Sequence, residues 1–236
     1  GAYQNLQTDG CGAFQHAGDD SIPYGKDNID NPYLEAFWKW WEGDLQHSLR
    51  ELRVTGGEPT MSKGFWKLMD WWKEHSECDV NFAVNSNLGQ KQELIDKLCN
   101  ATHNFKTFNL YTSNESVGEH AEYIRDGLKW ERWKSNAEKM IRDGNLKSFN
   151  VMMTINALCL FSLTDFIDDM MEIKSKYGKN TPLLDLNILR WPGYMSVLTL
   201  PDDIKNECRE QIKSWFEKNK QSPLLLAGEI AGKNVI

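Results

Sequence analysis

Leu52-Arg53-Val54-Thr55-Gly56-Gly57-Glu58-Pro59 (LRVTGGEP) decides how the rest of the chain is read. The first four residues fit the end of a β-strand. The glycine pair then brings bare backbone to the C-terminal edge of a sheet, where no Cβ stands in a ligand's way. Ligands of α/β folds bind at that edge. Glu58 sets a carboxylate there, and Pro59 fixes φ and removes a donor, so the ladder stops and the chain turns out toward a helix. The chemistry favoured is a small ligand with an amino or other cationic group, held by backbone carbonyls and one carboxylate. A Gly-rich strand-to-helix turn with a solvated Glu is the plainer alternative.

Downstream, Phe65, Leu68, Met69 and Trp72 recur at helical spacing behind Ser62, a residue type suited to the N-cap. Residues 80–87 (VNFAVNSN) alternate as a strand and end in small polar groups, and a helix is expected over 90–101. Further strands are expected over 105–112, 149–156 and 184–189, with helical stretches up to 142, over 164–177 and after Pro201. Upstream, Leu34, Phe37, Trp38 and Trp41 mark a helix opened by Pro32, and their side chains are read as packing. Residues 1–30, rich in Gly, Asp, Asn and Gln without periodicity, read as a loop or linker ahead of a domain over 31–236.

Strands that alternate with helices in this way form parallel βαβ units with right-handed crossovers. A partial or complete β/α barrel is expected, while a doubly wound open sheet satisfies the same periodicity. In either, the strand C-termini converge and are read together. They carry Gly56, Gly57 and Glu58; Asn85, Ser86 and Asn87; Thr112, Ser113 and Asn114; Thr154 and Asn156; Arg190 and Trp191. Neutral hydrogen-bonding groups, one acid, one base and an indole suit a polar ligand with hydroxyls and a flat ring. Asn and Ser also favour strand ends for turn chemistry alone.

With 236 residues, 40% of them hydrophobic, the chain can bury one substantial core. A net charge of −7 gives no electrostatic footprint for nucleic acid or anionic membrane. The five cysteines, Cys11, Cys78, Cys99, Cys159 and Cys208, are odd in number and widely spaced, which points away from a disulfide framework and toward a reducing, cytoplasmic compartment. No run is long enough to span a membrane. The five histidines show no HxH or HExxH spacing, and neither a Walker loop nor a GxSxG elbow is present.

Thr55 to Pro59 (TGGEP) resembles the second-strand motif of the radical S-adenosylmethionine (SAM) superfamily. The following Thr60 to Trp72 (TMSKGFWKLMDWW) resembles its twitch-domain branch. The resemblance implies a partial (β/α)6-type, TIM-like barrel whose first strand is missing, leaving five parallel strands. It also implies that the backbone of Gly56, Gly57 and Pro59, with Glu58, holds the amino group of SAM's methionine part. Ser113 then matches a ribose contact, Asn85 or Asn87 the polar end of the neighbouring strand, and Asn156 a contact to ribose or methionine carboxylate. The backbone up to Trp191 brackets adenine, and Arg190 pairs with a carboxylate of SAM or substrate. The implied chemistry is reductive cleavage of SAM to a 5′-deoxyadenosyl radical that takes a hydrogen atom from a small-molecule or peptide substrate. A [4Fe-4S] cluster and an electron donor such as flavodoxin or ferredoxin are implied with it.

One departure is plain. The superfamily binds its cluster through CxxxCxxC, and no two cysteines here have that spacing. The chain opens at Gly1 without Met and closes within an amphipathic segment at 232–236, so it is expected to be a piece whose cluster ligands lie outside it, inactive alone. A non-catalytic SAM or nucleotide module and an unrelated βα-barrel enzyme are the alternatives.

Overall fold

A computed structural model describes residues 32–178 and 181–225. The expected linker over 1–30, Cys11 and the segment 232–236 lie outside the described residues. The chain divides into two compact units, Gly1–Gln46 and His47–Ile236.

In the first unit, helix α1 (Pro32–Trp40) runs on into a π-helical turn, Trp41–Leu45. Phe37 stacks on Trp41 with ring centroids 6.0 Å apart. Trp41 is buried, Phe37 and Trp38 are half-buried, and Leu34 is exposed, so the packing role expected of this face belongs to its aromatic members.

The second unit holds one sheet of five parallel strands in the order β1-β2-β3-β4-β5. They are β1 (Glu51–Val54), β2 (Asn81–Asn85), β3 (Phe108–Ser113), β4 (Ser148–Ile155) and β5 (Leu183–Ile188). The connecting helices are α2 (Lys63–Glu74), α3 (Gln92–Thr102), α4 (Gly118–Ile124), α5 (Trp130–Asp143) and α6 (Leu163–Tyr177), and α7 (Asp202–Asn219) follows the last strand. Strand order equals chain order, which is what successive βαβ units produce when every crossover steps the same way.

Alternation along the strands divides the sheet into two faces. In β3, Phe108, Leu110 and Thr112 are buried while Asn109, Tyr111 and Ser113 are half-buried; β4 repeats this with Phe149, Val151, Met153 and Ile155 against Ser148, Asn150, Met152 and Thr154. The buried face lies under the helices. Trp72 of α2 meets Phe82 edge-on at 5.2 Å, and Phe82 lies 5.3 Å from Phe108. From α5, the Trp133 indole donates to Thr112 Oγ1 at 3.1 Å. Phe65, Leu68, Met69 and Trp72, one face of α2, are all buried.

The other face, called the inner face below, is polar. In-register pairing aligns Arg53 with Ala83, Asn85 with Tyr111, Ser113 with Met152, and Thr154 with Asn187. Alternating polar residues along parallel strands would be costly inside a fully packed core, so this face stands apart from the core under the helices. No helix of the described residues is long and apolar enough to cross a membrane.

Candidate functional site

Beyond β1 the chain makes the turn that the glycine pair requires. Gly56 has φ +101°, a conformation L side chains rarely adopt, and a Cβ built on Gly56 or Gly57 meets nothing within 4 Å. Gly56 and Gly57 are exposed.

Glu58 is the residue that organises this edge. It caps the 3-10 turn Pro59–Met61, with Pro59 in the first turn as its fixed φ favours. Its Oε1 accepts from Thr60 N at 3.2 Å, from Thr60 Oγ1 at 2.7 Å and from Ser86 Oγ at 2.9 Å. Its Oε2 accepts from the backbone N–H of Asn87 at 2.7 Å. The carboxylate therefore bridges the turn after β1 to the loop after β2. By lone-pair accounting Oε1 is filled, whereas Oε2 keeps room for one more donor.

The loop after β2 is pinned from several sides. Asn87 Oδ1 accepts from Gly89 N at 2.8 Å and from Gln90 Nε2 at 2.7 Å. Asn136 of α5 donates Nδ2 to the carbonyls of Leu88 at 2.8 Å and Gln90 at 3.0 Å. Leu88 is held at φ 51°. An amide in the middle of a helix carried no signal that it would reach this loop, so sequence reasoning missed Asn136.

Asn85 closes β2 on the inner face, with Nδ2 3.5 Å from Met152 Sδ. Its Oδ1 is buried and has no hydrogen-bond partner among the described residues, an acceptor left for a donor to satisfy. Ser113 ends β3 half-buried on the same face. Asn156, one residue past β4, is buried and spent on its own turn: Nδ2 donates to Thr154 O at 2.9 Å and Oδ1 accepts from Leu158 N at 2.9 Å. Beyond β5, Leu189 N continues the pairing to Ile155 O at 2.9 Å, but Arg190 and Trp191 are exposed, the indole by 81%. The structure thus ties Glu58 to Ser86 and Asn87 by hydrogen bonds, with Gly56, Gly57 and Pro59 as the chain neighbours of that carboxylate. Asn85 and Ser113 stand beside it on the inner face, Asn156 is turned into its loop, and Arg190 and Trp191 lie on the outer rim.

Several inner-face residues escaped a reading confined to strand ends. Tyr111 lies under Arg53, whose Cζ is 4.3 Å from the ring centroid. Asp185 and Asn187 are exposed on β5. Their signal was available in the period-2 alternation of polar residues. Glu115, just past β3, is buried and paired with Arg125 Nη2 at 2.5 Å.

Among the described residues no three His, Cys, Asp or Glu side chains group as a metal site. Cys159 donates to Asn156 O at 3.3 Å, and burial pushes its thiol up to about 12, so it stays neutral.

No protein-family model matches the sequence, and no curated protein matches it. Among solved structures, Streptococcus suis SuiB bound to S-adenosylmethionine superposes with a TM-score of 0.53 at 14% identity, covering 81% of this chain and 43% of that one. SuiB bound to its precursor peptide SuiA superposes with a TM-score of 0.50 at 13% identity, covering 80% and 39%. The fold they share with this chain is a partial β/α barrel, here five parallel strands in one sheet. At these identities the likeness is one of fold, and the chain spans about two fifths of those neighbours' length.

Proposed function

We propose that the inner-face mouth of this partial barrel is a seat for S-adenosylmethionine in a radical SAM core, and that Thr60 to Trp72 places the chain in the twitch-domain branch of that superfamily. The observation that carries the reading is Glu58, locked across two strand ends with one oxygen still able to accept, beside glycines with open space where a Cβ would stand. An ammonium at the mouth would find that oxygen and the carbonyls of the Gly56-Gly57 turn. The orphaned Asn85 Oδ1 fits a hydroxyl or amino donor, and Ser113 fits a ribose hydroxyl. Bound there and given one electron, the cofactor would supply hydrogen-atom abstraction from a substrate.

The chain's own share is to bind, orient and exclude water. Because Glu58 is fixed before any ligand arrives, little ordering cost falls on binding. Met152, beside Asn85, presents sulfur and methylene where water would otherwise stand. Arg190 and Trp191, exposed on the rim, are assigned to the edge of the adenine site, and Asn156 to holding the β4 loop that borders it. The [4Fe-4S] cluster implied by the resemblance finds no ligand set among the described residues, so no step is routed through it.

The substrate proposed is a small molecule or a peptide, the latter in line with a structural neighbour that binds a precursor peptide. Equilibrium dialysis with labelled SAM tests the reading. Saturable binding that the Gly57→Val variant loses supports it; binding indifferent to that substitution refutes it.

A further inference from the structure

Arg53 is the one cation among the residues of the five strands, and it lies on the inner face. Its guanidinium crosses β2 to reach the Tyr111 ring on β3, with Cζ 4.3 Å from the centroid. The crossing is possible because its in-register neighbour on β2 is Ala83, whose methyl leaves the path open. Tyr111 stands level with Asn85, two residues further along β2 than Ala83, so the head leans toward the C-terminal ends of the strands.

An aromatic ring beneath a guanidinium fixes its plane and leaves the N–H groups at its edge pointing outward. Among the described residues Arg53 has one acidic partner, Glu51, met by both Nε and Nη2 at 3.3 Å through the same oxygen. Both side chains are about 40% exposed, so the pair is weak, and no described residue takes the donors of Nη1. A pre-oriented fork with unspent donors matches a carboxylate or phosphate bidentately.

We propose that Arg53, held on Tyr111, is an oxyanion receptor that takes a carboxylate or phosphate of the substrate. This rests on the SAM seat proposed above: a substrate that reacts with the cofactor must lie against it, and the inner face beside the mouth offers that place. The substrate class is therefore anionic at a position on the β1 to β3 side.

Isothermal titration of the chain with SAM, decarboxylated SAM, oxalate and inorganic pyrophosphate tests this, using the wild type, Arg53→Gln, Arg53→Lys and Tyr111→Leu. Oxalate or pyrophosphate should bind the wild type saturably. Arg53→Gln should weaken that binding at least tenfold, and Arg53→Lys and Tyr111→Leu severalfold each, while SAM affinity stays within twofold. Circular dichroism checks that each variant folds. Failure of both small anions to bind, or equal binding to Arg53→Gln, overturns the proposal. So does a loss of SAM but not of its decarboxylated analogue in Arg53→Gln, since the guanidinium would then serve the cofactor's own carboxylate. A wild type that binds a small anion but not SAM refutes the seat, and the substrate assignment with it, while leaving the anion site itself measured.

Discussion

Glu58 and Ser86 stand 28 residues apart in sequence, yet the glutamate Oε1 accepts the serine hydroxyl at 2.9 Å, tying the turn after β1 to the loop after β2. With the bond from the Asn87 amide to Oε2, this makes one carboxylate the common fastener of two strand ends.

Replacing it by Gln tests that role. The amide offers one acceptor oxygen, and whichever way it turns, its NH2 faces either the Asn87 N–H or the Thr60 N–H. Glu58→Gln should therefore lose about 1–2 kcal/mol, and Glu58→Ala about 2–4 kcal/mol because charged hydrogen bonds are lost outright. Urea denaturation measures both, and hydrogen exchange at the Asn87 amide should quicken. Unchanged exchange there would show that the loop is held by other means.

The two glycines separate backbone strain from ligand access. Gly56→Ala should destabilise by about 1–2 kcal/mol because φ +101° suits glycine, although space for a methyl is open. Gly57 has no positive φ and equally open surroundings, so Gly57→Ala should leave thermal stability within about 0.5 kcal/mol of the wild type. Its effect should appear in SAM binding, weakened severalfold by a methyl in the ligand's space.

Glu115 is 2% exposed in its side chain, and Arg125 is its partner at 29%. Removing Arg125 strands a carboxylate out of water, so Arg125→Ala should cost about 2–3 kcal/mol, somewhat below a fully buried pair because the arginine is partly solvated. Adding Glu115→Gln to that variant removes the stranded charge and should recover part of the loss. A double-mutant cycle in urea reads the coupling.

Cys159 gives a pH signature. Burial raises its thiol from the ordinary 9.0 to about 12. Above pH 9 the unfolded chain releases this proton and the folded chain retains it until near 12, so rising pH in that window favours unfolding. Cys159→Ala should show a shallower loss of stability than wild type between about pH 9 and 11. Parallel slopes would contradict a buried, protonated thiol.

The five strands and their helices were legible because their periodicities are strong: the buried face of α2 is the set Phe65, Leu68, Met69 and Trp72 read from spacing, and each strand expected is present within a few residues. The glycine-acid turn was legible from its own chemistry. What spacing cannot carry is register between distant segments. The Glu58–Ser86 bond depends on where β1 stops relative to β2, and the reach of Asn136 to Leu88 depends on how α5 packs. Asn156 shows a second use of the same residue type: a ligand contact is expected of it at a strand end, and its amide also closes a local turn. The Arg53–Tyr111 pair spans three strands and required the parallel order to be known before the two positions could be placed side by side.

A nitrogen-proton NMR titration of the chain with SAM tests the central claim most directly, because it locates contact residue by residue and registers even weak binding. The account predicts saturable shifts concentrated at the amides of Gly56, Gly57, Asn87 and Ser113, abolished in Gly57→Val. Shifts confined to other surfaces, or an undiminished response in that variant, would contradict it.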